Sequence, residues 1–300
     1  MKKAFIYLHI AVFLAGFTGI LGKLITLNEG LLVWYRLLFS VVSLWLIALL
    51  SKRRLKIPLY AMMKIFGIGV VAALHWVCFY GSIKLANVSI ALVCFSSIGF
   101  FTAILEPIVF KQKWHQRELL LGLLVIIGIS FIFQFDPRYR QGIAVGIMAA
   151  ILGSVFPILS RKLLQQFEAA TVTIYELSGG LIFLTVALPF YLRLFPTNHL
   201  VPDGMDLIWL LILSWICTVI AFNLSMIALK KISAFTVNLT FNLEPIYGIL
   251  LAFLIFREDK FLGMGFYAGL SLIFLAIVIQ MTALFRERRK KLQLNKPERI

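Results

Sequence analysis

Charged side chains are scarce in this sequence, and acidic ones are the scarcest. Asp and Glu together number 13 against 29 Lys and Arg, and charged residues make up 14% of the 300 positions. Soluble domains carry roughly 25% charged residues. Hydrophobic residues reach 61% here. This composition excludes an ordinary soluble domain, so the membrane-spanning segment becomes the unit to count.

The residue patterns of catalytic and metal centres are also missing. The three cysteines, Cys78, Cys94 and Cys217, lie within apolar runs, where free cysteine behaves as a small core residue. No Cys and His spacing matches a metal site, and the sequence has no Gly-rich phosphate-binding loop. We therefore expect no disulfide, no metal, no cofactor and no nucleotide-driven transport.

Long apolar runs joined by short loops make up most of the chain. A bilayer crossing takes about 20 helical residues, and the runs lack the strict alternation of barrel strands. We predict an all-α integral membrane protein with ten transmembrane helices, near residues 5–23, 30–50, 64–85, 88–110, 118–135, 141–160, 171–192, 206–229, 233–256 and 261–284.

Basic residues are concentrated in alternate loops. Of the 29 Lys and Arg residues, 21 lie on the side that holds the N-terminus, seven lie on the other side, and Arg36 lies within a span. The side rich in basic loops is normally the cytoplasm. We expect an integral protein of the cytoplasmic (inner) membrane with both termini in the cytoplasm. Residues 286–300 are expected to form a basic cytoplasmic tail that is attracted to anionic lipid and not to nucleic acid.

The two halves of the chain resemble each other. The stretch FYGSIKLANVSIALV (79–93) is similar to FNLSMIALKKISAFTV (222–237), and the glycine-bearing runs 122–133 and 269–279 also match. Five spans in each half are an odd number, so the halves are expected to have inverted topology, a recurrent transporter plan. We predict a first repeat at 1–135 and a second repeat at 136–285.

The pattern resembles the EamA-type members of the drug/metabolite transporter superfamily. The resemblance rests on the two halves, on RLLFS (36–40), on HWVCFYGSIKLANVS (75–89) and on ALKKISAFTVNLTFNLEPIYGILLAFLIFRED (228–259). It implies secondary transport, often efflux of amino acids or other small metabolites, through a central cavity between the halves. The first half has Lys111-Gln112-Lys113 where the second has Arg257-Glu258-Asp259, so we assign the acidic loop no functional role.

The segment 233–256 is the most informative span because it contains Glu244 beside Pro245. A carboxylate at mid-membrane is costly and usually faces a cavity or a partner. Counting 1.5 Å per residue places His75 and Glu244 at a similar depth, so they can form a proton-linked pair. Alternatively, Glu244 bonds the backbone that Pro245 frees, and His75 is a packing residue.

Other polar and aromatic residues in the spans are candidates for substrate contact. Asn238 and Asn242 share a helix face and can line a pathway or join helices as structural hydrogen bonds. Trp76 and Tyr80 share a face of the third span, with Lys84 one turn further, and can bind a planar or carboxylated metabolite or simply pack.

Four residues near span ends are candidate gates. Arg36 can contact a substrate carboxylate or form an external gate, or its long stem can reach outward to the membrane surface. Glu106, Tyr175 and Glu176 lie near the expected cytoplasmic face. The two glutamates can act as gates or pair with loop lysines.

These features favour a secondary transporter that exports small metabolites such as amino acids by alternating access, with proton coupling through Glu244 as a hypothesis. The expected partners are a small-molecule substrate and membrane lipid. The alternatives are a membrane-embedded lipid-modifying enzyme and a structural or receptor-like membrane protein. Short loops and the missing catalytic cluster disfavour an enzyme.

Overall fold

The structure, a computed structural model, describes residues 2–52, 55–135, 137–241 and 243–294. Within these ranges the chain is helical with short loops and contains no strand. The first half forms seven helices: α1 (Lys2–Ala15), α2 (Thr18–Leu24), α3 (Glu29–Leu50), α4 (Leu59–Leu85), α5 (Val88–Phe95), α6 (Ile98–Phe110) and α7 (Gln116–Phe135).

The second half repeats this plan with seven more α-helices. A 3-10 turn at Pro137–Tyr139 precedes it, a π-helical segment at Trp215–Ile220 interrupts it, and a second 3-10 turn at Glu258–Phe261 comes before its last helix. The helices are α8 (Arg140–Leu164), α9 (Ala169–Leu194), α10 (Gly204–Ser214), α11 (Ala221–Leu229), α12 (Ala234–Phe241), α13 (Glu244–Phe256) and α14 (Met264–Leu294).

Eight helical stretches of the described chain are long and apolar enough to cross a membrane. Two shorter apolar helices follow them, at Glu244–Phe256 and Met264–Ile279. The predicted all-α membrane protein is therefore confirmed, and the count of ten spans stays a prediction. The segment expected as one bent helix at 233–256 is described as two helices, since α12 ends at Phe241 and α13 begins at Glu244.

Polar side chains begin several helices by accepting hydrogen bonds from unpaired backbone N–H groups. The Asn28 side chain accepts from the N–H groups of Gly30 and Leu31 at the start of α3. Asn87 accepts from Ile90 N at 2.8 Å at the start of α5. Asp203 accepts from Asp206 N at 2.7 Å at the start of α10. These caps explain the abrupt helix starts after loops of only a few residues.

Glycines allow helices from the two halves to approach closely. A Cβ atom on Gly128 of α7 would lie 2.7 Å from the carbonyl oxygen of Gly269 in α14. A Cβ on Gly180 of α9 would lie 2.8 Å from the carbonyl oxygen of Gly69 in α4. Small residues permit this kind of backbone contact within a membrane. The matching glycine-bearing runs of the sequence thus pack against each other.

Three of the eight stretches that are long and apolar enough to cross a membrane are interrupted, and so is the segment formed by α12 and α13. The break between α1 and α2 falls at Gly16-Phe17, and the break between α5 and α6 at Ser96-Ser97. The π segment separates α10 from α11, and the fourth break precedes Pro245, which lies in the first turn of α13. Discontinuous helices are how transporters commonly expose backbone polar groups to a binding site.

Candidate functional site

An internal cavity of about 110 Å³ lies at the level of these interruptions. Ala15 and Thr18 flank the first break, and Phe95 and Ile98 flank the second; all four line the cavity. The other two interruptions supply Cys217, from the π segment, and the pair Phe241 and Glu244, which flank the fourth break. The cavity therefore lies between the two halves, with walls from both.

The cavity wall is mainly aromatic with a few polar groups. Phe156 and Phe222 stack with ring centroids 6.1 Å apart, and Trp76 meets Phe222 edge to face at 5.8 Å. Such a surface suits an apolar or planar part of a ligand. The polar and charged lining residues are Thr18, Arg36, His75, Ser225 and Glu244.

Arg36 points into the protein instead of reaching out to the membrane surface, and it is 2% exposed. Its Nε donates to Thr218 Oγ1 at 2.7 Å, and its Nη1 donates to Tyr80 OH at 2.8 Å. The guanidinium lies 4.3 Å from the centre of the Trp76 ring, a cation–π contact. Nη2 donates no hydrogen bond to any described residue, and Arg36 lines the cavity.

The π segment explains how Arg36 is held. Its wider turn leaves the carbonyl of Leu213 to accept from the Thr218 hydroxyl at 2.9 Å, five residues later. Thr218 then accepts from Arg36. One turn along α3, Ser40 Oγ bonds both Arg36 O and Ser214 O, at 2.7 and 3.2 Å. Local π turns often occur at functional sites.

His75 and Glu244, which the sequence places at a similar depth, both line this cavity. The His75 Nδ1–H donates to the Ala149 carbonyl at 2.7 Å, because a carbonyl can only accept. In the neutral form of the ring, Nε2 is then the acceptor. Glu244 is 5% exposed and lies in the first turn of α13, where the helix dipole favours a carboxylate.

The remaining candidates for substrate contact differ in whether they line the cavity. Trp76 lines the cavity, whereas Tyr80 is fully buried behind it and holds Arg36. Lys84, the third member of that face, donates to the carbonyl of Ile25 at 3.0 Å. Asn242 and the side chain of Asn238 lie outside the described residues.

The three residues expected near the cytoplasmic face have different partners. Glu106 accepts from Arg161 Nη1 at 2.7 Å and from Ala234 N at 3.1 Å. Tyr175 OH donates to the carbonyl of Leu55 at 3.1 Å. Glu176 is fully buried and accepts from Ser160 Oγ at 2.9 Å, while its Oε1 has no hydrogen-bond partner among the described residues. Glu106 thus meets Arg161, and Glu176 meets Ser160.

Sequence reasoning missed Glu258, whose loop it assigned no role. Glu258 is 2% exposed and accepts from Lys23 Nζ at 2.7 Å. It also accepts from Val88 N at 3.1 Å, Ser89 N at 2.9 Å and Ser89 Oγ at 2.6 Å. Burial would raise the pKa of Glu258, but the hydrogen bonds from Lys23 and Ser89 and the lysine charge hold it below its ordinary value of 4.5. The serine that opens the fourth span was the available signal for this contact.

Together these features define an integral membrane protein of two helical repeats around a central, mostly aromatic cavity. The model of the EamA-like transporter family matches residues 2–134 and again residues 140–282. The chain therefore belongs to the EamA-like transporter family, which confirms the resemblance noted in the sequence. Membership indicates a membrane transporter and not an enzyme.

Individual relatives are distant. An uncharacterized transporter of Helicobacter pylori is 23% identical over 230 residues, which cover 74% of each chain. An uncharacterized transporter of Haemophilus influenzae is 25% identical over 166 residues, or 51% of this chain and about half (53%) of that protein. A solved crystal structure with 16% identity has a TM-score of 0.67 and covers 92% of this chain and 96% of its own. This likeness shows a shared fold.

Proposed function

We propose that this protein is a secondary transporter that exports small metabolites such as amino acids by alternating access. The observation that carries the proposal is the central cavity, because one buried space is lined by Arg36, Glu244 and aromatic rings at the level of four helix interruptions. A site at discontinuous helices between repeats is the common arrangement in secondary transporters.

The proposed architecture has ten spans in two inverted repeats, at 1–135 and 136–285, followed by a basic tail at 286–300. The two matches of the family model, at 2–134 and 140–282, support this division. The excess of Lys and Arg in alternate loops supports cytoplasmic termini and a location in the cytoplasmic membrane.

The proposed substrate carries a carboxylate and an amino group on an apolar body. Arg36 is the partner for the carboxylate, since its Nη2 donates no hydrogen bond to the described residues. Glu244 is the partner for the amino group, since Glu244 and Arg36 line the same cavity. The apolar body meets Trp76, Phe156 and Phe222. A charge-assisted contact at each end gives the orientation of the substrate.

Glu244 is also the proposed proton-coupling group. The experiment compares substrate transport into proteoliposomes at several pH values for the wild type and Glu244→Gln. The variant keeps the shape of the side chain and cannot change charge, so it should lose the pH dependence of transport while its thermal unfolding stays close to that of the wild type. Unchanged pH dependence would reject coupling through Glu244.

A further inference from the structure

Two buried carboxylates hold the starts of two interrupted helices. Glu258, which follows α13, bonds the backbone N–H groups of Val88 and Ser89 at the start of α5. Glu106, in α6, bonds the backbone N–H of Ala234 at the start of α12. The α5–α6 stretch and the α12–α13 stretch thus cap each other, each with a carboxylate near its C-terminal end.

The two caps lie at opposite ends of the cavity. Ser89 and Glu106 belong to the same stretch, 17 residues apart, which corresponds to about 25 Å along a helix. The cavity residues Phe95 and Ile98 lie between them. The α5–α6 stretch and the α12–α13 stretch also pack together at both ends, α5 against α13 and α6 against α12.

Each carboxylate is completed by one cation from a further helix. Lys23, in the last turn of α2, lies 2.7 Å from Glu258. Arg161, in the last turn of α8, lies 2.7 Å from Glu106. These helices end the first span of the first repeat and the first span of the second. The same three parts, a carboxylate, a helix start and a cation, therefore occur at both ends.

Backbone geometry supports this correspondence. Lys111 ends α6 and Arg257 ends α13, and both adopt the left-handed conformation, with φ of 53° and 55°. With these residues matched, Gln112 is the counterpart of Glu258, and Gln112 is exposed. Glu106, six residues before Gln112, supplies the carboxylate at that end instead.

We propose that Glu258 with Lys23 and Glu106 with Arg161 are two locks that close opposite ends of the cavity and open one at a time. This inference deepens the proposed alternating access and rests on it. Opening the Lys23 end separates the end of α13 from the start of α5 and leaves the Glu106 lock closed. Opening the other end separates α6 from α12 and leaves the Glu258 lock closed.

Cys217 is a natural reporter for this proposal because it lines the cavity and is not one of the lock residues. Replacing Cys78 and Cys94 by alanine leaves Cys217 as the single cysteine. A membrane-impermeant thiol reagent is then applied to right-side-out and to inside-out membrane vesicles. The labelling rate of Cys217 measures access to the cavity from each side separately.

Breaking one lock should open one side. Loss of a charge-assisted bond should raise Cys217 labelling about tenfold from one face in Glu258→Gln and from the opposite face in Glu106→Gln. Asp259→Asn is the matched control for Glu258, since Asp259 Oδ1 has no hydrogen-bond partner among the described residues. Glu168→Gln is the control for Glu106, because the Glu168 side chain caps no helix and is exposed.

The membrane face from which Cys217 labelling increases distinguishes a lock from a general structural role. Increased labelling from both faces in each variant, or an unchanged rate in both, would overturn the proposal. Where a glutamine variant does not fold, Lys23→Met and Arg161→Met remove only the cation and should give the same opposite-sided result. Sided labelling without metabolite transport would uphold the locks and reject the proposed function, whereas transport without sided labelling would reject the locks alone.

Discussion

Arg36 shows how a permanent charge is accommodated within a membrane span. The cost of removing it from water is offset by two hydrogen bonds, to Thr218 and Tyr80, and by the face of the Trp76 ring. The sequence identifies Arg36 as unusual because it lies well inside a predicted span, whereas Lys23, Lys64 and Lys84 lie at or near span ends. The Arg36 side chain points into the protein because it bonds Thr218 and Tyr80, which belong to other spans. From the sequence alone, the side chain could equally have reached out to the membrane surface.

Replacing Arg36 by lysine should be costly although the charge is kept. A lysine ammonium cannot bridge Tyr80 and Thr218 with a planar fork or stack on Trp76. We expect a loss of stability of about 2 kcal/mol, the scale of charged hydrogen bonds. Thermal unfolding in detergent, followed by tryptophan fluorescence, measures it. Arg193→Lys on the exposed end of α9 is the control and should leave the midpoint nearly unchanged; equal effects at both positions would contradict the account.

Gly153 allows α8 to lie against His75. A Cβ at this position would be 2.9 Å from His75 Nδ1 and 3.0 Å from Cε1. Gly153→Ala should displace the ring from the Ala149 carbonyl and cost about 1–3 kcal/mol. Gly67→Ala, in α4 itself, meets nothing within 4 Å and should be neutral. Thermal unfolding of the Gly153→Ala and Gly67→Ala variants measures this difference. An unchanged unfolding midpoint in Gly153→Ala would show that His75 is not tightly held.

At the scale of elements, proline and packing produce different kinds of interruption. Pro245 predicts a bend because it removes a backbone hydrogen bond, whereas the structure begins a new helix, α13, at Glu244 and places Pro245 in its first turn. The break at Ser96-Ser97 has no proline, and there the Ser97 hydroxyl bonds the Cys94 carbonyl at 2.6 Å. In the π segment, Thr218 likewise accepts a hydrogen bond from Arg36, which comes from another helix. Contacts between distant parts of the chain cannot be predicted from the local sequence pattern.

The cap that Glu258 places on α5 should make stability depend on pH. Its pKa in the folded protein is below 4.5, so its contribution is complete above that pH and is lost as the pH falls through the lower folded value. The midpoint difference between wild type and Glu258→Gln should therefore be largest near neutral pH and shrink below about pH 4.5. Thermal scans from pH 7 to pH 3.5 measure it.

Asp259→Asn is the control for that scan, because Asp259 belongs to the same turn and contributes no cap. A wild-type advantage over Glu258→Gln that persists undiminished at the lowest pH would contradict a charged cap at α5.

At the scale of the whole molecule, the internal echo of the sequence predicts the two-repeat plan, which the two matches of the family model support. The reciprocal caps were not predictable in the same way. Glu106 follows the serine that opens its span by 17 residues, whereas Glu258 follows Ser233 by 25. Equivalent contacts made from non-equivalent positions leave no repeated motif. Only the packing of the α5–α6 stretch against the α12–α13 stretch brings each carboxylate to the helix start that it caps.

The central cavity is the proposed route of transport, so occupying it should abolish transport. Ala15 borders the cavity between α1 and α2, and Ala15→Phe would fill part of its volume. Ala144→Phe adds the same side chain at an exposed position of α8 and is the matched control. Both variants are first checked for expression and thermal unfolding.

The most direct measurement is metabolite profiling of the medium of cells that express the wild type, Ala15→Phe, Ala144→Phe or Glu244→Gln. The account predicts that a small metabolite accumulates outside cells with the wild type and with Ala144→Phe, and that it falls to the background of empty cells with Ala15→Phe. Glu244→Gln should also reduce it. Equal accumulation with Ala15→Phe and the wild type, in folded proteins, would contradict the cavity as the route of transport.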